Sequence, residues 1–277
     1  MVKIGQTPAR TTHMHRDYFA LTYDLRGLLD AMNQPPEPST YGAAFADVYD
    51  DWYAASDDLD AVVDLLAEQQ PQRVLELGVG TGRIALALAR ALAATGASII
   101  GVDESPEMLA HLKNKDPHHT VRTICGDMVD DQPAGPFDLV YLSYNTLFNV
   151  SDRVRQQRCL HNIASRLAPN GRLVIDACVL SNAAPRHGST QEQRGVWHVR
   201  TESTFDHASG IVEGLTVSSN ESGQVQRPWK ILYQSPQSLD VWCAAAELHL
   251  LARYASWHKT PFDDDAARHV SIYGNVR

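Results

Sequence analysis

The run Val74-Leu75-Glu76-Leu77-Gly78-Val79-Gly80-Thr81-Gly82-Arg83 decides how this chain folds. Its opening residues belong to a short apolar strand, Arg73 to Leu77, and Ile84 to Ala94 is an Ala/Leu-rich helix. Glycines between strand and helix let the backbone bend sharply and approach a ligand with no Cβ in the way. A Gly-rich turn alone says little, because many folds use one. Here an acidic residue, Asp103, ends the next strand about 20 residues on, where a carboxylate can accept both hydroxyls of a ribose.

Outward from that turn, strand and helix alternate. Ser98 to Val102 reads as a strand and Pro106 to Lys113 as a helix, with Ser105 as its cap and Pro106 in its first position. Val121 to Cys125 and Phe137 to Ser143 are the third and fourth strands. Val154 to Leu167 is a helix closed by Pro169-Asn170-Gly171, and Arg172 to Ala177 is the fifth strand. Strands this apolar on both faces belong in a parallel sheet covered by helices, a Rossmann-like doubly wound α/β fold. After Val179 the pattern changes. Val196 to Phe205 and Ile211 to Val217 alternate across a hairpin at Asp206-His207-Ala208-Ser209-Gly210, with Trp229 to Gln234 as a third antiparallel strand. A helix from Ser235-Pro236 follows, then a last strand pair, Leu248 to Trp257 and Val270 to Val276.

Upstream, Met1 to Arg16 lacks periodicity, and a helix is expected from Asp17 until Asn33-Gln34-Pro35-Pro36-Glu37-Pro38 stops it. A second helical stretch carries Phe45, Val48, Tyr49 and Trp52 on one face; a third carries Leu59, Val62, Val63 and Leu66. This divides the chain into an N-terminal extension, 1–40, and one domain, 41–277, with 180–235 as inserted antiparallel strands forming a lid after strand five. At 277 residues two full domains would be a squeeze.

The glycine turn suits either a dinucleotide or an amino-acid-bearing nucleoside. A dinucleotide fingerprint is G-x-G-x-x-G, and a pyrophosphate lies on the helix N-terminus. This chain has G-x-G-x-G, with Arg83 where that third glycine would fall and Glu76 before the first. A carboxylate there repels a pyrophosphate and suits an ammonium.

The segment Glu76 to Gly82 resembles motif I of class I S-adenosylmethionine (SAM)-dependent methyltransferases. Val102-Asp103-Glu104-Ser105-Pro106-Glu107-Met108-Leu109 resembles their second motif and Gly126-Asp127-Met128 their third. Phe137-Asp138-Leu139-Val140 and Leu167-Ala168-Pro169-Asn170-Gly171-Arg172-Leu173 look like their fourth strand and the approach to the fifth. The similarity runs from about Tyr49 to Val179 in family order. It implies SAM as cofactor and S-adenosylhomocysteine as product, with Asp103 on the ribose, Asp127 on the adenine amino group and Met128 on its face. Glu76, Gly78, Gly80 and Gly82 would line the methionine end. Arg83, Glu104, Met108 and Gly126 fall within or beside these motifs and are carried into the pocket with them. Tyr49 and Tyr53 are expected at the methionine carboxylate, as similar tyrosines are in related enzymes. A looser resemblance, in Tyr144 to Asn149, Pro236, Leu239-Asp240 and His269 to Tyr273, points to bacterial small-molecule methyltransferases of biosynthetic clusters. That group is similar to the amino-sugar and peptide N-methyltransferases. The chain departs from it at Glu247, where a turn glycine is usual.

Ligands of open α/β sheets lie beyond the carboxyl ends of the strands, so Ser143 to Phe148 should flank the sulfonium, with Tyr144 and Asn145 at the reacting atoms. The inserted strands would roof a small-molecule acceptor or form a homodimer interface. His198 is the candidate base, with His207, Glu202 and Glu213 nearby; alternation also fits His198, Arg200, Glu202 and Thr204 as a solvated face. The expected reaction is methyl transfer to nitrogen or oxygen, with C-methylation or a non-catalytic SAM-binding subunit as alternatives. A formal charge of −9 argues against nucleic acid and anionic membrane as partners. Cys125, Cys159, Cys178 and Cys243 make no metal or disulfide pattern and read as buried residues of a cytoplasmic protein. No metal is expected.

Overall fold

The computed structural model describes residues 41–53, 58–181 and 184–275. The helix expected from Asp17 lies outside the described residues. Helices α1 (Tyr41–Phe45), α2 (Tyr49–Tyr53) and α3 (Leu59–Ala67) come first. The alternating part is β1 (Arg73–Leu77), α4 (Arg83–Ala91), β2 (Ser98–Asp103), α5 (Pro106–Lys115), β3 (Val121–Cys125), β4 (Phe137–Leu142), α6 (Arg153–Arg166) and β5 (Leu167–Cys178). Four strands follow: β6 (His187–Arg194), β7 (Trp197–Asp206), β8 (Ile211–Asn220) and β9 (Gly223–Leu232). The chain then returns through α7 (Pro236–Ala245), β10 (Leu248–Tyr254) and β11 (Arg268–Asn275).

The main sheet has the order β10-β11-β5-β4-β1-β2-β3. Strands β1 to β5 pair in parallel, while β11 runs antiparallel to both β5 and β10. The strand order therefore reverses between β1 and β4, which opens a crevice at their carboxyl ends. On one face Leu75, Leu77, Val140, Leu173 and Ile175 pack under α6 and α7 through Leu160, Ile163 and Leu239. On the other, Val74, Leu139, Val174 and Ile272 pack under α3 and α4 through Val62, Leu65 and Leu88. Each such side chain taken fully from water is worth about 1.5–3 kcal/mol, which is why the strands are apolar on both sides. Helix α5 begins as expected, with Pro106 first and the Ser105 hydroxyl accepting the Met108 N–H at 3.2 Å.

The second sheet, β6-β7-β8-β9, is an antiparallel meander inserted after β5. It has one strand more than expected. His187–Arg194 is polar at almost every position, so no hydrophobic alternation marks β6, whose pairing with β7 is through the backbone. Strand β9 starts at Gly223, well before Trp229, for the same reason. The second helical stretch is two short helices, broken by a turn at Ala46–Val48. Asn170, at φ 64°, makes a bend within β5, which begins at Leu167. Cys159 and Cys243 are buried as expected, but Cys125 is exposed.

Glu247 links α7 to β10 at φ 61°, the left-handed region that a glycine enters without steric cost. The departure noticed in sequence is thus a backbone that keeps the glycine geometry with a Cβ in place. Glu247→Gly should stabilise the protein by about 1 kcal/mol, read as a higher midpoint in urea unfolding. A lower midpoint would show that the turn carries no strain.

Candidate active site

The crevice is walled first by the turn after β1. Gly78, Gly80 and Gly82 have φ of 73°, 53° and 79°. A Cβ on Gly78 would lie 2.4 Å from Thr146 Cγ2, and one on Gly82 would lie 2.6 Å from Leu112 Cγ. At Gly80 no atom of the described residues would stand within 4 Å of an added Cβ. The Gly80 N–H donates to Asp103 Oδ2 at 2.7 Å, and the Ser105 N–H donates to Asp103 Oδ1 at 2.9 Å. Burial pushes the Asp103 carboxyl up, while these two N–H groups pull it back. A carboxylate has about four acceptor positions, so lone pairs remain for further donors.

Beneath the turn, Glu76 is 2% exposed and accepts the Tyr141 hydroxyl at 2.7 Å. Burial raises its carboxyl from an ordinary 4.5 to about 8, opposed by Tyr141 and by Arg83. Arg83, the first residue of α4, lies with its guanidinium 4.6 Å from the centre of the Tyr144 ring. Among the described residues, its Nε and Nη1 are buried without hydrogen-bond partners. Buried donors left unmade are costly.

Tyr144 and Asn145 follow β4 and sit at φ 51° and 66°. Two left-handed non-glycine residues in succession need outside support, and Asp176 at the end of β5 supplies it. Its carboxylate Oδ2 accepts the Tyr144 N–H at 2.8 Å, its backbone carbonyl accepts the Asn145 N–H at 3.1 Å, and Asn145 Oδ1 accepts the Cys178 N–H at 2.7 Å. Arg268 donates to both Asp176 oxygens and to Asp58, and its guanidinium lies 5.0 Å from the Tyr144 ring centre. Ser143, buried beside them, has its carbonyl capped by the Thr146 hydroxyl at 2.6 Å.

At the end of β3, Asp127 accepts the Val129 N–H at 2.6 Å and pairs with Arg155 at 2.5 Å. Arg155 and the turn N–H groups outweigh desolvation and hold its carboxyl low. Gly126 is packed close to Asp131, Met128 is half-buried against the main core, and Glu104 is exposed. Met108 does not border the crevice: it is 2% exposed in a cluster with Phe45, Val48 and Trp52.

The N-terminal helices close over this wall. Asp50 of α2 accepts the Thr81 hydroxyl at 2.6 Å and pairs with Lys115 at 2.7 Å. Tyr49 and Tyr53 meet in the same helix with ring centres 4.8 Å apart and planes tilted by 46°, and Arg194 from β6 lies 5.1 Å from the Tyr53 ring centre and 5.3 Å from that of Trp52. Arg227 of β9, 2% exposed, pairs with Asp47 at 2.5 Å and donates to Ser218 at 3.1 Å. Burial holds the Tyr41 and Tyr49 phenols well above their usual range.

The inserted sheet turns one face inward. Trp197, Val199 and Trp229 join the cluster of Phe45 and Trp52, while Phe205, Val212 and Ile231 pack on the main core beside Phe148 and Tyr233. Thr201 and Thr216, whose hydroxyls meet at 3.0 Å, lie on that face between the two anchors. His198 alternates with Trp197 and Val199 and is exposed on the opposite face, so the structure does not bring it to the crevice. Glu202 shares that outer face and is held by Ser189 and Arg200; Glu213 is paired with Lys230. His207 is tied to the Ala184 carbonyl at 2.9 Å. Asp176, Arg268, Asp50 and Arg227 escaped sequence reading, since each lies far along the chain from its partner. Only Asp176 carried a signal, a carboxylate in an apolar strand.

A family model described as a methyltransferase domain matches residues 74–171. The cypemycin N-terminal methyltransferase of a Streptomyces species is 28% identical over 240 residues, 83% of this chain and 92% of that protein. The CcbJ methyltransferase of Streptomyces caelestis is 27% identical and superposes with a TM-score of 0.77, covering 87% of this chain and all (100%) of its own. SAM-bound CalS10, an amino pentose methyltransferase of Micromonospora echinaspora, shares the fold at 19% identity and a TM-score of 0.63, over 88% of this chain and 99% of its own. With its glycine turn, its carboxylates and its doubly wound sheet, the chain is an S-adenosylmethionine-dependent methyltransferase, similar to those of natural-product biosynthesis.

Proposed function

We propose that the protein moves the methyl group of SAM to a nitrogen or oxygen of a small-molecule acceptor of natural-product, amino-sugar or peptide type. The observation that carries the cofactor's placement is the pair of buried, partnerless Arg83 N–H groups beside buried Glu76. A guanidinium with free donors fits a carboxylate, and a buried carboxylate fits an ammonium, so together they suit an amino-acid end. Gly78, Gly80 and Gly82 border that end, Asp103 takes the ribose hydroxyls, and Gly126, Asp127 and Met128 take the adenine. Tyr49, Tyr53 and Ser143 complete the wall on the methionine side.

Bound SAM supplies a methyl carbon already activated by a positive sulfur. The chain's own task is then to hold the acceptor's lone pair in line behind that carbon, a positioning effect worth several kcal/mol, of a possible ~7–11 in well-oriented systems. Tyr144 and Asn145, fixed by Asp176, stand where the acceptor and methyl would meet. Tyr49, kept protonated by burial, serves as a hydrogen-bond partner and not as a base. With His198 turned outward, the acceptor's proton would leave to solvent or to the acceptor's own groups. The relatives support the acceptor class: a cypemycin N-terminal methyltransferase, an amino pentose methyltransferase and a glycopeptide N-methyltransferase are among them. Incubation with SAM and a panel of amines, amino sugars and peptides, followed by mass analysis, tests the class. Turnover confined to carbon nucleophiles would overturn it.

Asp103→Ala should weaken SAM binding by about 1–3 kcal/mol through loss of charge-assisted hydrogen bonds. An unchanged dissociation constant in titration calorimetry would remove Asp103 from the ribose.

Glu76 gives a pH signature. In the free protein its carboxyl, pushed up to about 8, is protonated at pH 7. An ammonium partner ionises it, so binding at pH 7 should release close to one proton per site. At pH 9 the carboxyl is already ionised and a free α-amino group, with its pKa of about 7.7–8.0, is neutral, so binding should take a proton up. Calorimetry in buffers of different ionisation enthalpy reads this change of sign; proton exchange near zero at both pH values would separate Glu76 from the ammonium. The same shift acts on folding. Because the folded value of about 8 lies above the ordinary 4.5, the Glu76 contribution is full below pH 4.5 and falls away as pH rises to 8. Without ligand, Glu76→Gln should therefore gain stability relative to the parent as pH rises through that window.

A further inference from the structure

We propose that Asp176 and Arg268 form a positioning pair for the cofactor's amino-acid end. They lock Tyr144 in its left-handed conformation, so that its ring backs Arg83 and leaves two of that guanidinium's N–H groups unspent. The inference rests on the reading that Arg83 meets the cofactor carboxylate.

The geometry argues it in three steps. Tyr144 at φ 51° is unfavourable for a residue with a Cβ, and the Asp176 carboxylate holds it there through the Tyr144 N–H at 2.8 Å. Asp176 is 1% exposed, and a carboxylate so buried needs a cation, which Arg268 provides through two N–H groups. The Tyr144 ring then lies between two guanidiniums, Arg268 at 5.0 Å and Arg83 at 4.6 Å from its centre. The Tyr144 ring face lies against the Arg83 guanidinium and its hydroxyl accepts a hydrogen bond from it, while among the described residues Arg83 Nε and Nη1 stay buried and unpartnered. The plain alternative is a staple: Arg268 also reaches Asp58, so the triad would only tie β5 and β11 to the start of α3.

A staple and a positioning pair differ in which ligand they affect. S-adenosylhomocysteine carries the amino-acid end, whereas 5′-methylthioadenosine keeps the nucleoside and lacks it. Titration calorimetry of both ligands against Arg83→Gln, Arg268→Gln and the parent protein separates the cases. The expected result for both variants is a loss of about tenfold or more in affinity for S-adenosylhomocysteine, with 5′-methylthioadenosine changed less than about twofold. If Arg83→Gln is selective and Arg268→Gln weakens both ligands equally or neither, the positioning role falls while the Arg83 reading stands. If Arg83→Gln treats the two ligands alike, the underlying reading falls and the proposal with it. Arg268→Lys guards against a misfolded Gln variant, since an ammonium keeps charge beside Asp176 and Asp58 but loses the flat contact with Tyr144. It should unfold at the parent midpoint and still lose S-adenosylhomocysteine affinity selectively. Parental affinity in Arg268→Lys would overturn the proposal.

Discussion

A backbone that passes through three left-handed glycines within five residues keeps its shape only if each bare Cα is met from outside. Thr146 fills the space beside Gly78 and Leu112 the space beside Gly82, so the turn is clamped between the loop after β4 and helix α5. Asp103 completes the clamp by accepting the Gly80 N–H. Of the three turn glycines, Gly80 alone has no atom of the described residues within 4 Å of an added Cβ. The loop is thus rigid at both shoulders and open at its centre, which is the form a backbone needs to lie against a ligand. Leu112, Thr146 and Asp103 come from three separate elements, and the parallel order of β1, β2 and β4 is what brings them together.

Around that turn the protein accepts the cost of burying charge. Glu76 and Asp176 lie inside an otherwise apolar sheet, at 2% and 1% exposure. Their situations differ. Asp176 has a full guanidinium partner in Arg268, which stabilises its ionised form. Glu76 has a phenol, the Ala85 backbone N–H and the more distant Arg83, and burial prevails, leaving it protonated near neutrality. A stable fold gains nothing from such a group, because an apolar residue of similar volume would serve the core at least as well. Its presence makes sense when a cation arrives from outside, and the same holds, with opposite charge, for the unspent donors of Arg83.

The parallel sheet was legible because both its faces are covered, which forces continuous apolar strands, and because glycine and carboxylate punctuate the carboxyl ends. The inserted sheet was half legible. Strands β7 and β8 carry Trp197, Val199, Phe205 and Val212 at alternate inward positions, but β6 packs nothing apolar and its pairing is backbone alone. The residues proposed for the cofactor wall came from motif order, while Met108 was carried along with its motif and packs beneath α1 and α2. His198 illustrates the limit of alternation. Period two separates the faces of a strand but does not say which one is inside. That was set by Trp197, Val199 and Trp229 packing on a helix more than a hundred residues away in sequence, a distance no local pattern crosses.

Those same contacts tie two parts of the molecule that the motifs leave unconnected. Asp50 grips Thr81 in the glycine turn, and Asp47, on the loop leading into its helix, grips Arg227 in the inserted sheet. A short segment ahead of the main sheet therefore touches the glycine turn on one side and the inserted strands on the other. Asp47 is 63% exposed, so screening leaves its pair modest, whereas Arg227 at 2% would be stranded without it. The imbalance gives the contact a directional character. It does little to hold Asp47 in place, but it sets where the inserted sheet can come to rest relative to the turn. Trp52 is buried with Phe45, Val48 and Val199, and Tyr49, Tyr53 and Trp229 pack against that cluster, so α1 and α2 fix how closely the inserted sheet approaches the turn.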